Sequence, residues 1–386
     1  MTTKLAPDRI WTLTILLFLC LIYPPLIISK SVTTGSFIQG DCYYYRAVID
    51  SLLQDGDLLL ANNVAADPLN GYLAVGREGL VPKHPIIMSL VSMPFYVLFE
   101  TPGLLLFNVL DIIILIFLIF KLNCLFYDQS VALITTLLYA TGTLFLDYVY
   151  NYSPDIFSTV LLLGGLYLVL RERYYIGALL LGLSIFAKLP NALLAAIILL
   201  YAGIAILRGN ISHEKKRFAN KWTIIVTTAV IFLISLVPFA YTNYLLFGSP
   251  VVTGYQRMAE AGPNGEVISV NHADEFNQPL LKGVYQSLFD FRNGILLTNP
   301  VLALAFLGLF WIRKIKSQDK IVLILILCLV QFIFFAKYDD WSTSHFSNRF
   351  LMTFVALSSV FTSSFISYLS DKYLFHPTKQ DIVVEV

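Results

Sequence analysis

Charged residues are scarce in this 386-residue chain: Asp, Glu, Lys and Arg make up 13% of it, whereas 57% of it is hydrophobic. A soluble domain usually contains about 25% charged residues. The apolar residues are gathered into long runs, which is typical of proteins that cross a membrane. The net charge is only +1 and there is no basic stripe, so we expect no nucleic-acid partner.

Cysteine is also rare, and the chain lacks several familiar catalytic signatures. Of its four cysteines, Cys20, Cys42, Cys124 and Cys328, only Cys42 lies in a predicted outer loop. No intramolecular disulfide is therefore expected. The sequence contains no P-loop, G-x-S-x-G, H-E-x-x-H or dinucleotide fingerprint, and this argues against the enzyme classes that depend on them.

The long apolar runs predict an all-α, polytopic bundle of about ten transmembrane helices, because about 20 apolar residues cross the hydrocarbon core. The predicted spans are 10–29, 103–120, 130–147, 154–170, 175–188, 190–207, 222–246, 294–312, 320–337 and 349–370. The turn at Lys188-Leu189-Pro190 either separates the fifth span from the sixth or kinks one long helix.

The distribution of Lys and Arg predicts the orientation. The short connections 208–221 and 313–319 are strongly basic and should be cytoplasmic. Both ends of the chain would then be cytoplasmic, and the long loops 30–102 and 247–293 would lie outside. We divide this one membrane unit into a module over 1–246 and a second part over 247–386.

The first outer loop should contain juxtamembrane helices. Residues 41–53 place Tyr45, Val48 and Ile49 on one helical face, which predicts an amphipathic helix lying on the membrane. Residues 85–99 are apolar but too short to span the bilayer, so we interpret them as a membrane-hugging or re-entrant helix.

Two outer acidic residues could carry chemistry. Asp41 either caps the helix that starts there or serves as a carboxylate that takes a proton from an acceptor hydroxyl. Asp155 belongs to Ser153-Pro154-Asp155, which also has the pattern of a helix start. Both interpretations stay open for each residue.

Basic and aromatic residues accompany them. Lys83 and His84 could bind a lipid-linked phosphate, or could be a snorkelling lysine and a surface histidine. Arg349 opens a late span and could neutralise a phosphate. Arg292, which precedes the span at 294, could likewise neutralise a phosphate or be an interfacial anchor. Trp341 has two interpretations, a substrate contact or an interfacial anchor.

Two polar residues are predicted inside the bilayer. Asn108 and Asp111 share one face of a span and should point into the bundle. Helix–helix association is the favoured role. A proton relay is the alternative, and it keeps a transporter or flippase for a lipid-linked or amphipathic substrate as the second functional hypothesis.

Several segments together resemble the GT-C superfamily of membrane glycosyltransferases, especially the branch that contains protein O-mannosyltransferases and the enzyme that transfers aminoarabinose to lipid A. The segments are GDCYYYRAVIDSL, PKHPIIMSLVSMPFY, YSPDIFSTVLLLGGLYLVLR, GALLLGLSIFAKLPNALL, FGSPVVTGY, DFRNGILLTNPVLALAFLGL and DWSTSHFSNRFL. Their order and their predicted sidedness both agree with the resemblance.

The resemblance implies an enzyme of the cell membrane with its active site on the extracytoplasmic face. Its donor would be a polyprenyl-phosphate sugar, and its acceptor a lipid, glycan or protein. Asp41 would be the general base, and Asp155 would assist it, orient the acceptor or hold a metal. The implied donor-phosphate ligands are Lys83, His84 and Arg349, and the possible substrate contacts are Tyr44, Asn151, Arg292 and Trp341.

The cofactor question stays open at this stage. Two outer carboxylates permit a divalent metal such as Mg²⁺ or Mn²⁺, although such sites usually need more oxygen ligands. Membrane lipids are expected partners in every case.

Overall fold

A computed structural model of the chain describes residues 7–34, 40–64, 70–209, 220–271, 275–314, 317–339 and 347–373. In chain order, the helices of this part of the chain are α1 (Pro7–Thr34), α2 (Asp41–Gln54), α3 (Ile87–Asn123), α4 (Gln129–Gly142), α5 (Phe145–Tyr148), α6 (Pro154–Leu170), α7 (Tyr174–Ala187), α8 (Asn191–Leu207), α9 (Lys221–Phe247), α10 (Leu280–Phe289), α11 (Ile295–Thr298), α12 (Leu302–Gly308), α13 (Gln318–Ala336) and α14 (Met352–Tyr373).

Within the described residues, five segments are long and apolar enough to cross a membrane: Ile10–Ser29, Ile87–Asn123, Lys221–Phe247, Gln318–Ala336 and Arg349–Lys372. Three shorter apolar helices, α6, α7 and α8, stand where the fourth to sixth spans were predicted. Large apolar side chains on α1 and α9 face outward, among them Leu21 at 65% and Leu233 at 61% exposure. Such outward apolar faces are expected of helices that contact lipid.

Two predicted spans are broken in the structure. The span 130–147 is divided into α4 and α5, and the span 294–312 into α11, α12 and a short 3₁₀ turn. Pro300 has no backbone N–H to continue a helix from α11. The freed backbone N–H of Leu144 donates to the Asn299 side-chain oxygen at 2.6 Å. This hydrogen bond links the break between α4 and α5 to the break after α11. Hydropathy alone could not detect this pairing.

The all-α prediction is wrong in one respect, because the described chain contains a four-stranded antiparallel sheet. Its strands are β1 (Asn70–Val75), β2 (Leu80–Pro82), β3 (Met258–Ala261) and β4 (Val267–Val270), in the order β2-β1-β3-β4. Leu73 pairs with Pro82, Ala74 with Met258, and Met258 with Val270. The sheet therefore joins the two predicted outer loops.

Helix α3 combines the predicted short helix at 85–99 with the span that follows it. Glu100 lies between the two arms with φ 55° and ψ −140°, outside the helical region. Pro102 then lacks a hydrogen-bond donor, and a side chain at Gly103 would collide with the carbonyl of Phe95, at 1.9 Å. The kink is therefore fixed by local sequence.

Helix α2 forms as predicted, but its apolar face does not lie open to the membrane. Tyr45, Val48 and Ile49 are buried in a cluster that includes Ile87 and Met88 of α3. Protein atoms cover this face, so the expectation of a helix lying on lipid is wrong for it. A larger cluster fills the bundle between α1, α3 to α9 and α11 to α14.

Candidate active site

Asp41 is the first residue of α2, and its side chain does not cap that helix. The residue before it, Gly40, has φ 56°, a conformation that suits glycine, and it provides no side-chain cap. The Asp41 carboxylate instead accepts a hydrogen bond at Oδ2 from Nη2 of Arg349, at 2.6 Å. The capping interpretation is therefore replaced by an ion pair between residues 308 positions apart.

Asp155 is placed by the helix start predicted for it. The Ser153 hydroxyl accepts from the Asp155 backbone N–H at 3.3 Å, and Pro154 occupies the first turn of α6. The Asp155 side chain is buried and forms an ion pair at Oδ1 with the Lys188 ammonium. Its other oxygen, Oδ2, lies 3.8 Å from Nε of Arg349.

These contacts make one alternating row of charges, which we call the ion-pair row: Asp41, Arg349, Asp155 and Lys188. Phe350 flanks both cations, with its ring centre 5.2 Å from the Arg349 guanidinium carbon and 4.9 Å from Lys188 Nζ. A cation over an aromatic face gains electrostatic stabilisation. The row is therefore held by both charge and aromatic contact.

The electrostatic surroundings keep Asp41 ionised. Burial by itself would raise the pKa of the Asp41 carboxyl. Its pKa nevertheless lies well below the ordinary value, because Arg349 first, and then His84 and Lys83, favour the charged form. A carboxylate that keeps its charge can accept a proton, provided that a donor hydroxyl comes within reach.

Lys83 and His84 lie among aromatic rings rather than on an open surface. The Lys83 ammonium is 5.2 Å from the ring centre of Tyr72, which itself stacks on Tyr44 at 4.9 Å. The His84 ring stacks on Tyr45 at 5.5 Å. Both basic residues are thus fixed next to α2, and the predicted contact residue Tyr44 is part of the same packing.

Tyr255 fixes His84 from the second outer loop. Its hydroxyl lies 3.1 Å from His84 Nδ1. Burial raises the pKa of Tyr255, and the negative charges of Asp41 and Asp155 raise it further. The hydroxyl therefore stays protonated and can donate a hydrogen bond.

A glycine permits this approach of the two loops. A Cβ atom at Gly254 would lie 2.3 Å from the carbonyl oxygen and 2.6 Å from the Cα of Lys83. The neighbouring crevice is lined by Lys83, His84 and Tyr255 and by Phe239 and Asn243 of α9.

The remaining predicted residues differ in position. The Cys42 thiol, next to Asp41, lies 3.6 Å from Oδ1 of Asn151, so Asn151 is at the edge of the ion-pair row. Arg292 is exposed in the turn after α10, where its backbone N–H donates to Asp290. Trp341 lies outside the described residues.

The sequence prediction missed two site residues, Lys188 and Tyr255. Lys188 stands in a predicted turn and in a segment that carries the resemblance, but no role was predicted for it. A lysine that follows 14 mostly apolar helical residues needs a partner inside the protein. Tyr255 stands in a segment used for the resemblance, and its contact with His84, 171 residues away, leaves no local signal.

The chain is similar in structure to solved membrane glycosyltransferases. The oligosaccharyltransferase AglB from Archaeoglobus fulgidus, in complex with an inhibitory peptide and a dolichol-phosphate, matches with a TM-score of 0.61 and 16% identity, over 95% of this chain and 51% of its own. ArnT from Cupriavidus metallidurans, bound to undecaprenyl phosphate, matches with a TM-score of 0.61 and 12% identity, over 94% of this chain and 61% of its own.

A further structure of the A. fulgidus oligosaccharyltransferase, in complex with Zn and sulfate, matches with a TM-score of 0.55 and 16% identity, over 91% of this chain and 49% of its own. This chain thus spans about half to three-fifths of the length of these neighbours. No protein-family model matches the chain, and no curated protein is similar to it in sequence. The predicted resemblance is confirmed at the level of the fold: the chain has the architecture of the GT-C membrane glycosyltransferases.

Proposed function

We propose that the chain is a glycosyltransferase that moves a sugar from a polyprenyl phosphate to an acceptor hydroxyl at the extracytoplasmic face of the cell membrane. The single observation that carries the proposal is the ion pair between Asp41 and Arg349, with Lys83 and His84 close enough to lower the pKa of Asp41. The Asp41 carboxylate, which can act as the base, thus lies close to the basic side chains of Arg349, Lys83 and His84. Two structural neighbours are described as bound to dolichol-phosphate or undecaprenyl phosphate, which supports the donor class.

The proposed reaction is a displacement at the anomeric carbon with inversion. Asp41 takes the proton of the acceptor hydroxyl while the hydroxyl oxygen forms the new bond to the anomeric carbon. The bond from that carbon to the phosphate oxygen breaks, and its electron pair leaves with the polyprenyl phosphate. Lys83, His84 and Arg349 would stabilise the charge on that phosphate.

The other residues of the site have supporting roles in this proposal. Asp155 holds the Arg349 and Lys188 side chains in place through its two carboxylate oxygens. The Tyr255 hydroxyl orients His84 through the 3.1 Å contact with Nδ1. Tyr44, Asn151 and Trp341 remain proposed substrate contacts, and Arg292 remains one in the second outer loop.

The test is donor turnover by the purified protein in nanodiscs with a panel of polyprenyl-phosphate sugars. Asp41→Asn should fold normally and lose about 10²–10⁴-fold in turnover, the usual contribution of a general base. Asp50→Asn is the matched control, because Asp50 lies on the same helix but pairs with Arg46 and Tyr96. It should keep its turnover.

The transporter alternative predicts a different pattern. Asp111 is buried in α3, and its neutralisation should abolish transport while Asp41→Asn has a small effect. The glycosyltransferase proposal predicts that Asp41→Asn reduces sugar transfer far more than the neutralisation of Asp111 does. No turnover of any donor, together with no donor-induced rise in melting temperature, would overturn the proposal.

A further inference from the structure

Two facing carboxylates are a common place for a divalent cation, so the fit of a metal to Asp41 and Asp155 can be judged from their contacts. Mg²⁺ prefers six oxygen ligands at about 2.1 Å, and Ca²⁺ takes six to eight. A neighbouring oligosaccharyltransferase has been crystallised with Zn and sulfate. In the described part of this chain, no group of three His, Cys, Asp or Glu side chains could hold a metal ion.

The carboxylate oxygens are instead taken by cations of the chain itself. Oδ2 of Asp41 is bound by Arg349 at 2.6 Å, and Oδ1 of Asp155 is bound by Lys188. Oδ2 of Asp155 faces Nε of Arg349 at 3.8 Å. The two negative charges of the ion-pair row are thus balanced by two positive charges. A divalent cation could bind these oxygens only by displacing Arg349 or Lys188.

Lys188 is held where it lies and is not a surface lysine that could swing away. Its backbone N–H donates to the Ser184 carbonyl at 2.9 Å, and its extended conformation directs the chain into the turn before α8. Its ammonium lies 5.6 Å from the ring centre of Phe335 and 4.9 Å from that of Phe350. Only 17% of the Lys188 side chain is exposed, so water screens its ion pair with Asp155 poorly.

We propose that the Lys188 ammonium occupies the place at Asp155 where a divalent metal would otherwise bind, and that it positions Asp155 and Arg349 without a metal. Lys188 is a positioning residue in this scheme, because it contacts Asp155 and acts on the donor through Arg349. Oδ1 of Asp155 becomes available to a metal only when the lysine charge is removed.

Mn²⁺ binding followed by electron paramagnetic resonance tests the proposal without any substrate. The wild-type protein in phosphatidylcholine nanodiscs should retain no Mn²⁺ at this site. Lys188→Met keeps the length of the side chain and removes its charge, so it should bind one Mn²⁺ per protein under conditions in which the wild type binds none. The added substitution Asp155→Asn should abolish that binding.

Two variants control for charge and for folding. Lys188→Arg keeps a cation at Asp155 and should behave like the wild type, whereas Lys282→Met, at an exposed position on α10, should gain nothing. If Lys188→Met does not fold, Lys188→Gln takes its place as a second neutral variant. Wild-type Mn²⁺ binding that is lost in Asp155→Asn would overturn the proposal, and so would neutral variants that fold but bind no Mn²⁺.

A second measurement rests on the proposed function and separates the two failures. Binding of undecaprenyl phosphate to the wild-type protein should be unchanged by EDTA, and Lys188→Met should bind it more weakly in EDTA. A loss of wild-type binding in EDTA would overturn the metal-free arrangement. An absence of undecaprenyl phosphate binding under all conditions would contradict the proposed function, whereas the Mn²⁺ result would still decide the role of Lys188.

Discussion

At the scale of single residues, Arg349 determines the character of the site because it lies between two carboxylates. Its guanidinium carries several donors in a rigid plane, which lets one side chain address Asp41 and Asp155 from different nitrogens. A lysine has one compact charge and could not reproduce both contacts. The protonation state of Asp41 therefore depends on a residue in the short turn that leads into α14.

The first prediction concerns the pH dependence of stability. Arg349 holds the pKa of Asp41 below its unfolded value, which is about 3.9. A depressed pKa stabilises the fold at pH values above the unfolded pKa, and this contribution is lost as the pH falls through the folded pKa. The melting temperature of the wild type should therefore exceed that of Asp41→Asn at pH 7. The difference should shrink below about pH 4.

This comparison needs only melting curves of the two proteins in detergent, measured between pH 7 and pH 3. A difference that stays constant over that range would mean that the Asp41 carboxylate is not stabilised by its neighbours. A larger difference at low pH would have the wrong sign for a depressed pKa.

The second prediction concerns Asn108, which fixes the segment before Asp155. Its side-chain nitrogen donates to the carbonyls of Tyr148 and Val149 at 2.8 and 3.1 Å, and its oxygen accepts from the Ser153 backbone N–H at 3.1 Å. Asn108→Ala leaves these buried groups unsatisfied, at a cost of about 1–3 kcal/mol. We expect a lower melting temperature and a loss of donor turnover.

Asn123 provides a matched control on the same helix. Its side chain also makes three hydrogen bonds, to Ile119, Ser359 and Ser363, but within the bundle and not at the Asp155 segment. Asn123→Ala should lower the melting temperature to a similar extent and leave turnover nearly unchanged. Equal losses of turnover in both variants would mean that Asn108 acts only through overall stability.

The residue scale also shows how far sequence reasoning reaches into the site. Asp41, Asp155 and Arg349 could each be selected because charged residues next to apolar runs are costly and need a reason. Their mutual contacts could not be predicted, since Arg349 lies 308 residues after Asp41. Whether Lys83 and His84 bind a phosphate stays a prediction.

At the scale of elements, helices were predictable where the sequence carries its own start and stop signals. Ser153-Pro154 begins α6 as the pattern indicated. Of the two interpretations of Lys188-Leu189-Pro190, the structure has the turn that separates α7 from α8. The sheet left no comparable signal, because its strands are three to six residues long and β1 pairs with β3 from a distant loop. Such short strands form only when the bundle brings the two loops together.

The third prediction concerns the contact between α12 and α14. A Cβ atom at Gly308 would lie 1.8 Å from the carbonyl oxygen of Phe361, on the helix that follows Arg349. Gly308→Ala must therefore push the two helices apart, and overpacking of this kind costs about 1–3 kcal/mol. We expect a lower melting temperature in detergent and weaker binding of undecaprenyl phosphate, since Arg349 lies in the turn directly before α14.

Gly203 on α8 is the control for this substitution. No atom lies within 4 Å of a Cβ built there, and alanine favours a helix over glycine by about 1 kcal/mol. Gly203→Ala should leave the melting temperature unchanged or raise it. A Gly308→Ala protein as stable as Gly203→Ala would contradict the close helix contact.

At the scale of the whole molecule, the site depends on parts of the chain from both sides of the boundary predicted at 246/247. Asp41 and Lys83 come from the first outer loop, Tyr255 from the second, and Arg349 from the segment before α14. The sheet ties the two loops together. The match to the glycosyltransferase structures likewise extends over more than nine-tenths of this chain. The fold therefore assembles the site as one unit.

The last prediction concerns the side of the membrane on which this unit works. The short basic connection at 208–221 should be cytoplasmic, which places Asp41, Lys83 and the sheet outside. Single cysteines at exposed Glu78 and Arg208, in a background without the four native cysteines, report the two sides. A membrane-impermeant maleimide should label position 78 in intact cells and position 208 only after permeabilisation. The opposite pattern would place the ion-pair row on the cytoplasmic face, where it would have to draw its donor from the inner leaflet.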